Sequence, residues 1–305
     1  MDLFEQKNIS PMLLKEIREP FDDDNYIFEL KLDGIRCIAY LDKGKTILAN
    51  KRNKNITLIY PELREIHKQA NARCILDGEI IVTGKNGFPD FFALQKRSLL
   101  NDKFKIEMAS KIAPVNFVAY DILYYDGKNL TNLDQMARKK LLFKAIKENK
   151  YISISRFIEN QGIALFNQTK NLGLEGIVAK RKDGKYKLGK RSNEWIKIKN
   201  LQDEDFFIVG LTIEDGSVKD LILAKQEKNK LVYKAKMFAR LSQQEKSLLL
   251  TTALQNKSKK PFSEIFKDEK DIVWIKPKLV CTVQYMMLTK DGNMRQPVIK
   301  GIRSD

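Results

Sequence analysis

Short runs of β-branched and aromatic residues recur along most of the chain, and they constrain its fold more than any other feature. Turn residues such as Asp33-Gly34 separate several of these runs, which is typical of strands joined by tight turns. In the first 200 residues we expect strands at 26–31, 36–41, 74–82, 115–123, 176–181 and 195–199. Helical spacing appears at 133–147, with Thr131 or Asn132 as N-cap, and at 162–172, ended by Gly173. This mixture predicts an α+β fold.

The pattern changes at residues 200–205, which are polar and acidic. Beyond them we expect strands at 206–213, 221–224, 231–236 and 279–288, and one helix at 242–254. Short strands with a single helix are typical of a small β-barrel such as an OB-fold. The sequence therefore predicts two domains, 1–200 and 201–305.

The chain is strongly basic. Its 56 Lys+Arg exceed its 39 Asp+Glu by 17. Residues 1–200 hold 37 Lys+Arg against 25 Asp+Glu, and residues 201–305 hold 19 against 14, so both parts are basic. This balance favours a polyanionic partner, nucleic acid first. A lysine-rich bias of an AT-rich genome explains the charge equally well at this point.

Other classes of protein are disfavoured. The 3 cysteines lie far apart without a C-x-x-C pair, and there is 1 histidine, so we expect neither a disulfide framework nor a zinc site. No apolar run reaches the length of about 18 residues that a membrane helix needs. The first residues lack the pattern of a signal peptide. These features predict a cytoplasmic protein without a membrane partner.

Lys31 ends a predicted strand and begins the sequence Lys-Leu-Asp-Gly-Ile-Arg. A lysine beside a glycine turn is held rigidly and can be approached closely by a ligand. Alone, this segment also fits a surface lysine next to a β-turn. Two carboxylates lie at comparable positions: Glu79 in a predicted strand, and Glu175 just before another.

Lys197 and Lys199 are two residues apart in a predicted strand, so they share one face of it. Ile196 and Ile198 then point to the opposite face, into the core. Two lysines on an exposed strand face suit contact with phosphate groups.

Taken in order, these segments resemble the motifs of the covalent nucleotidyltransferases. The whole chain resembles an ATP-dependent DNA ligase of the small two-domain bacterial or phage type, including the ligase module of end-joining enzymes. Further segments that carry the resemblance are 20–36, 51–63, 90–97, 119–127 and 186–199. It implies an ATP-grasp-like adenylation domain of antiparallel sheets with flanking helices, followed by a C-terminal OB-fold barrel.

The resemblance implies a chemistry for Lys31. Its Nζ would attack the α-phosphate of ATP, giving lysyl-AMP and pyrophosphate, and AMP would pass to the 5′-phosphate at a nick. The adjacent 3′-OH would then displace AMP. A free lysine has a pKa near ~10.4, so the attacking neutral amine is rare at neutral pH. We expect Arg36, Lys197, Lys199 and a bound metal ion to favour that neutral form.

The same resemblance assigns further roles around ATP. The residues are Glu29 at the adenine edge, Tyr120 stacked on the base, Arg36 and Arg52 at the ribose or phosphate, Glu79 at the ribose or metal, and Arg191, Lys197 and Lys199 at the phosphates. The family usually has phenylalanine at the position of Tyr120. Mg²⁺ or Mn²⁺ would be held by Glu79 and Glu175, since such ions prefer oxygen ligands.

The C-terminal segment resembles the last ligase motif, whose basic residues orient pyrophosphate. Arg295, Arg303 and Asp305 fit this motif, although the lysine that usually follows the aspartate is not in this sequence. A basic terminal strand without catalytic function fits the same residues.

The expected partners are ATP and nicked double-stranded DNA, which the two domains of a monomer would enclose as a clamp. Three alternatives stay open: an RNA ligase, a capping-type enzyme that uses GTP, and a non-catalytic OB-type binder with an inactive ligase domain. The intact Lys31, Glu79 and Glu175 disfavour the last of these.

Overall fold

The computed structural model describes residues 2–85, 87–228, 230–262, 271–288 and 294–304. The chain divides into two compact units, Met1–Asn200 and Leu201–Asp305. No helix in these described ranges is long and apolar enough to cross a membrane.

The first unit contains two β-sheets. The first sheet has the order β1-β11-β10-β2-β9 and consists of β1 (Leu13–Ile17), β2 (Tyr26–Leu30), β9 (Phe157–Glu159), β10 (Gly176–Arg181) and β11 (Arg191–Lys199). The second has the order β4-β3-β5-β6-β7 and consists of β3 (Ile35–Asp42), β4 (Lys45–Asn50), β5 (Cys74–Val82), β6 (Val115–Tyr125) and β7 (Lys128–Asn129), with β8 (Ile152–Ile154) paired to β6.

Helices flank both sheets. The α-helices are α1 (Leu3–Gln6), α2 (Phe91–Ser98), α3 (Lys103–Ile112), α4 (Gln135–Ala145) and α5 (Gly162–Asn171). Short 3-10 helices span Thr57–Ile59, Pro61–Leu63 and Ile66–Gln69.

The prediction of antiparallel sheets is wrong at two pairs of strands. Strand β1 runs parallel to β11, and β8 runs parallel to β6. A parallel neighbour needs a crossover connection rather than a hairpin, and the chain between β6 and β8 contains α4. The sheets are therefore mixed.

Alternation along the strands divides the first sheet into two faces. One face is apolar and packs on α5 through Phe28, Ile177, Ala179, Ile196 and Ile198. This arrangement confirms that Ile196 and Ile198 belong to the core. The opposite face carries polar side chains toward the second sheet. Because the period of a strand is two residues, the same pattern that buries Phe28 turns Glu29 to this face.

The core of the second sheet lies on the side covered by helices. It includes Leu76, Phe117 and Ala119 from the strands, Leu94 from α2 and Leu142 from α4. A separate cluster joins the two sheets, with Ile38 and Ile75 of the second sheet in contact with the group that contains Trp195 of β11.

The second unit is a five-stranded antiparallel sheet with one helix. Its strands, in the order β14-β13-β12-β15-β16, are β12 (Gln202–Glu214), β13 (Ser217–Glu227), β14 (Lys230–Phe238), β15 (Ile272–Tyr285) and β16 (Val298–Ser304). Register shifts interrupt all four ladders of this sheet. Helix α6 (Gln243–Gln255) covers one face, where Leu249 and Ala253 are buried with the strand core.

The ends of three helices can be compared with the ends predicted from the sequence. Helix α6 begins after Ser242, whose hydroxyl forms a capping box with Glu245, close to the predicted start. The N-cap predicted for α4 is wrong, because the helix begins after Asp134. The hydroxyl and amide of Thr131 are instead bonded to the side chain of Asn129. Gly173 follows α5 with φ +65°, as expected for a helix-ending glycine.

A buried ion pair ties α4 to β6 and gives a prediction about stability. Both side chains, Arg138 and Asp121, are fully buried and form two hydrogen bonds of 2.9 and 2.8 Å. Arg138→Met leaves the Asp121 carboxylate without its cation, so we expect a loss of about 3–5 kcal/mol in the free energy of unfolding measured with urea. The exposed pair of Arg181 with Asp183 provides the control, and Arg181→Met should cost less than about 1 kcal/mol. Equal losses would contradict this assignment.

Candidate active site

A cavity of about 560 Å³ lies between the two sheets of the first unit. Most residues predicted to surround ATP line its wall: Glu29, Lys31, Arg36, Arg52, Glu79 and Tyr120. The wall also includes Lys180 and Trp195 from the first sheet and Phe91 from the start of α2. The other predicted residues, Glu175, Arg191, Lys197 and Lys199, are not part of this wall.

Lys31 is positioned by the register between β2 and β10. Its backbone N–H donates to the carbonyl of Gly176 at 2.9 Å, so the chain beyond β2 continues beside the start of β10. This brings Lys31 Nζ to 2.9 Å from Oε1 of Glu175. Gly176 has φ +133°, and a Cβ there would lie 2.1 Å from the carbonyl of Ile198. The close approach therefore requires glycine next to Glu175.

The turn after Lys31 also requires glycine. A Cβ on Gly34 would lie 2.4 Å from the carbonyl of Ile80 and 2.7 Å from Cγ of Glu79. The turn thus packs directly on β5 beside Glu79. This contact explains the glycine of the Lys-x-Asp-Gly segment in physical terms, since any side chain would displace the turn from the carboxylate.

Glu79 and Glu175 are two carboxyl groups whose pKa lies above its usual value. Burial raises the pKa of Glu79 to about 8, and nearby Lys31 and Arg36 only partly oppose the effect. Burial also raises the pKa of Glu175, again opposed by Lys31. A positive charge brought between them would therefore be favourable.

These two carboxylates fit a divalent cation that also binds phosphate. Mg²⁺ is usually held by one or two carboxylates, with waters and substrate phosphates as the other ligands. Among the described ranges there is no group of three or more His, Cys, Asp or Glu side chains that could hold a metal ion by themselves. Glu79 and Glu175 thus suit a metal that arrives with a nucleotide.

Arg36 is committed to partners inside the protein. Its Nε and Nη2 donate to the two carboxylate oxygens of Asp77 at 3.1 and 2.7 Å, and Nη1 donates to the carbonyl of Met12 at 2.6 Å. The guanidinium lies 5.9 Å from the ring centre of Tyr120 and 5.7 Å from that of Trp195. Arg36 therefore holds the wall together as well as lining it.

Lys197 and Lys199 share one strand face, as predicted. Both point toward Glu16 of β1, whose Oε2 lies 2.7 and 3.7 Å from their Nζ atoms. Arg191 donates to the carbonyl of Leu14 on the same strand. Lys31 Nζ is thus paired with the carboxylate of Glu175. Lys197 and Lys199, two of the cations expected to favour the neutral form of Lys31, are paired with Glu16 instead.

The sequence did not single out Lys139 and Lys180, which reach the site from α4 and β10. Their Nζ atoms lie 2.7 and 3.1 Å from the two oxygens of Glu29, and Ser155 donates to the same carboxylate at 2.7 Å. Burial lowers the pKa of Lys180 to about 8, despite the attraction of Glu29. Lys180 follows the apolar run 177–179, which was a signal in the sequence, whereas Lys139 lies between Arg138 and Lys140 and gave none.

Tyr120 is held between several groups. Its ring meets that of Trp195 edge-on, with ring centres 5.8 Å apart, and Lys180 Nζ lies 4.7 Å from its centre. The hydroxyl, which phenylalanine would lack, reaches Oε2 of Glu79 at 3.5 Å. The ring therefore has a fixed orientation at the cavity wall.

The C-terminal candidates lie in the second unit. The guanidinium of Arg303 pairs with Asp205, and one of its N–H groups also donates to the hydroxyl of Thr282 at 2.9 Å. The backbone of Arg295 bonds to that of Met286 and Met287. Asp305 lies outside the described residues.

Comparison with known proteins gives consistent matches. The sequence model of the ATP dependent DNA ligase domain matches residues 11–199, and that of the ATP dependent DNA ligase C terminal region matches residues 214–305. The SPbeta prophage-derived DNA ligase-like protein LigB of Bacillus subtilis is 34% identical over 209 residues, which cover 68% of this chain and 73% of LigB.

A second relative is longer than this chain. The multifunctional non-homologous end joining DNA repair protein LigD of Mycobacterium tuberculosis is 28% identical over 312 residues, covering 99% of this chain and 39% of LigD. Among solved structures, mycobacterial DNA ligase D complexed with ATP and MES is 28% identical with a TM-score of 0.58, covering 98% of this chain and 96% of that one. A Lig E DNA ligase has a TM-score of 0.62 at 17% identity, a likeness of fold alone.

The raised pKa of Glu79 predicts how stability depends on pH. The folded protein keeps a proton on this carboxyl up to a pKa of about 8, whereas the unfolded chain releases it near ~4.3. Between these values, rising pH therefore favours unfolding. We expect the Tm without nucleotide to fall from pH 5 to pH 8 less steeply in Glu79→Gln than in the wild type.

The control for this measurement is Glu107→Gln, because that side chain is 43% exposed. It should keep the wild-type dependence on pH. A Glu79→Gln protein whose Tm follows the wild type at every pH would contradict the assignment.

Proposed function

Because the chain belongs to the ATP-dependent DNA ligase family, we propose that it seals nicks in duplex DNA through AMP carried on Lys31. The observation that supports this most strongly is the place of Lys31 Nζ in the cavity wall, 2.9 Å from the buried carboxylate of Glu175. A lysine that only stabilised the fold would have no need of a cavity large enough for a nucleotide.

In the proposed first step, Lys31 Nζ forms a bond to the α-phosphorus of ATP while the bond to the β-phosphate oxygen breaks and pyrophosphate leaves. The lysine must first lose a proton. Glu175 is in contact with Nζ and holds it at the cavity wall, and a cation bound by that carboxylate would compete with the ammonium group and favour loss of its proton to solvent.

A divalent cation, Mg²⁺ or Mn²⁺, would neutralise charge on the phosphates when it is bound, and Glu79 and Glu175 are the residues that would hold it. Burial raises the pKa of both carboxyls, and a cation bound between them and the phosphates would favour their ionised forms.

The base and ribose would occupy the remainder of the cavity. We propose that adenine stacks on Tyr120, whose ring orientation Trp195 and Lys180 fix. Glu29 would contact the adenine edge, with its charge already balanced by Lys139 and Lys180. Arg36 and Arg52 would contact the ribose or phosphate from the opposite sheet.

Lys197, Lys199 and Arg191 are proposed as phosphate contacts. Glu16 pairs with both lysines, and a phosphate oxygen would replace that carboxylate as their partner. For Arg295, Arg303 and Asp305 a role in orienting pyrophosphate is supported by the sequence resemblance alone.

We also propose that residues 201–305 form an OB-fold domain that contacts DNA. The strand order β14-β13-β12-β15-β16 suits an OB barrel opened between its third and fifth strands. Register shifts in the ladders would provide the bends that such a barrel needs. The excess of basic residues in both units, 12 in the first and 5 in the second, suits contact with duplex phosphates.

Incubation with α-labelled ATP and Mg²⁺ tests the covalent step. The wild type should become labelled, Lys31→Ala should lose the label by about 10³-fold or more, and labelled enzyme should pass AMP to nicked DNA. Lys51→Ala, which changes another lysine of the cavity wall, should still be labelled. Undiminished labelling of Lys31→Ala would refute the mechanism.

Parallel reactions distinguish the alternatives. Labelling with GTP instead of ATP would support the capping-type enzyme, and transfer of AMP only to nicked RNA would support the RNA ligase.

Salt should separate DNA binding from nucleotide chemistry. If basic residues of both units contact the phosphates of DNA, affinity for a nicked duplex should fall by about 10³-fold or more between about 50 and about 200 mM salt. Self-adenylylation without DNA should change only a few-fold, since its charges lie inside the cavity. Equal salt dependence of the two reactions would contradict this division of charge.

A further inference from the structure

We infer that Gln135 is a positioning residue for the nucleotide cavity, because it fixes the indole of Trp195 that forms part of the wall. This inference rests on the proposed function for its kinetic consequence. Three polar residues of α4 point toward the site. Arg138 and Lys139 lie three and four positions after Gln135, so all three share one face of the helix. All three are buried, although their residue types usually lie at the surface.

The side-chain oxygen of Gln135 accepts two hydrogen bonds. Nε1 of Trp195 donates to it at 2.7 Å, and Nη2 of Arg138 donates to it at 3.0 Å. Indole and guanidinium groups are donors only, so the oxygen rather than the amide nitrogen must face them. The amide nitrogen of Gln135 is buried without a hydrogen-bond partner in the described part of the chain. The side-chain oxygen of Gln135, and not its nitrogen, therefore makes these contacts.

Trp195 transmits this constraint to the cavity. Its ring centre lies 4.2 Å from Lys180 Nζ and 5.8 Å from the ring centre of Tyr120. The ring of Tyr186 meets it edge-on from another side, at 5.5 Å. Rotation of the indole would move the groups that we propose to contact the base. Gln135 itself does not line the cavity, so it acts through Trp195.

Arg138 makes the position of Gln135 rigid. The guanidinium is held by both oxygens of Asp121 and donates a further hydrogen bond to the carbonyl of Gly184 at 3.1 Å. The ion pair of Arg138 with Asp121 therefore holds the amide of Gln135 in place, and this amide holds the indole of Trp195. Loss of the oxygen would leave two buried donors unsatisfied, which favours displacement of the indole.

The test uses Gln135→Met, which keeps the length of the side chain but removes the acceptor, in a Trp274→Phe background. Because Trp195 and Trp274 are the 2 tryptophans of the sequence, fluorescence then reports on Trp195 alone. We expect quenching of Trp195 by acrylamide to increase at least about twofold without ATP, since the indole is only 2% exposed when it is fixed. The KM for ATP in self-adenylylation should rise about tenfold, with kcat within about twofold of the parent.

Two further variants make the result specific. Gln168→Met makes the same chemical change on the exposed side of α5 and should match the parent in both measurements. Gln135→Glu keeps an oxygen acceptor for the indole and for Arg138, so it should retain protection from acrylamide and a KM within about threefold of the parent. This variant also tests the inference if Gln135→Met does not fold.

The inference is overturned if Gln135→Met has the parental quenching and KM, or if Gln135→Glu is altered as much as Gln135→Met. A fall in kcat at unchanged KM would likewise overturn it, since it would reflect only a smaller folded fraction. Failure of the parent to react with ATP would count against the proposed function instead. The quenching comparison contains no ATP and still decides whether Gln135 fixes Trp195.

Discussion

Lys31 and Glu175 meet because β2 and β10 run antiparallel, so that Lys31 lies opposite Gly176 and its side chain reaches the neighbouring Glu175. The backbone bond from Lys31 to Gly176 sets this register, and the glycine permits the approach of β11 behind it. A one-residue slip would turn Lys31 to the opposite face of the sheet. The chemistry of the site thus depends on strand pairing, and the apolar face around Phe28 and Ile198 keeps that pairing in place.

Buried ion pairs also hold the residues around this site in place. Besides Lys31 with Glu175, the described residues include these ionised groups at the cavity wall or directly behind it: Arg36 with Asp77, Arg138 with Asp121, and Glu29 with Lys139 and Lys180. Buried pairs contribute little net stability compared with apolar groups of the same size. Their value here is that each polar atom has one geometry in which it is satisfied, which fixes the rings of Tyr120 and Trp195 at the wall.

Local patterns in the sequence were sufficient for the strands at 74–82 and 176–181 and for the shared face of Lys197 and Lys199, because strand periodicity is a property of neighbouring residues. Contacts between distant segments were not predictable in this way. Lys139 and Lys180 are 41 positions apart and meet only through Glu29. The partner of Arg36 depends on the pairing of β3 with β5, and the parallel direction of β1 depends on the whole intervening chain.

We propose that the cavity of the first unit places a nucleotide against Lys31. A crystal structure of the protein after reaction with ATP and Mg²⁺ tests it most directly. We expect continuous electron density from Lys31 Nζ to the phosphorus of AMP, the adenine against Tyr120, and Glu175 no longer paired with Lys31. AMP bound without a covalent bond, or attached to another side chain, would contradict it.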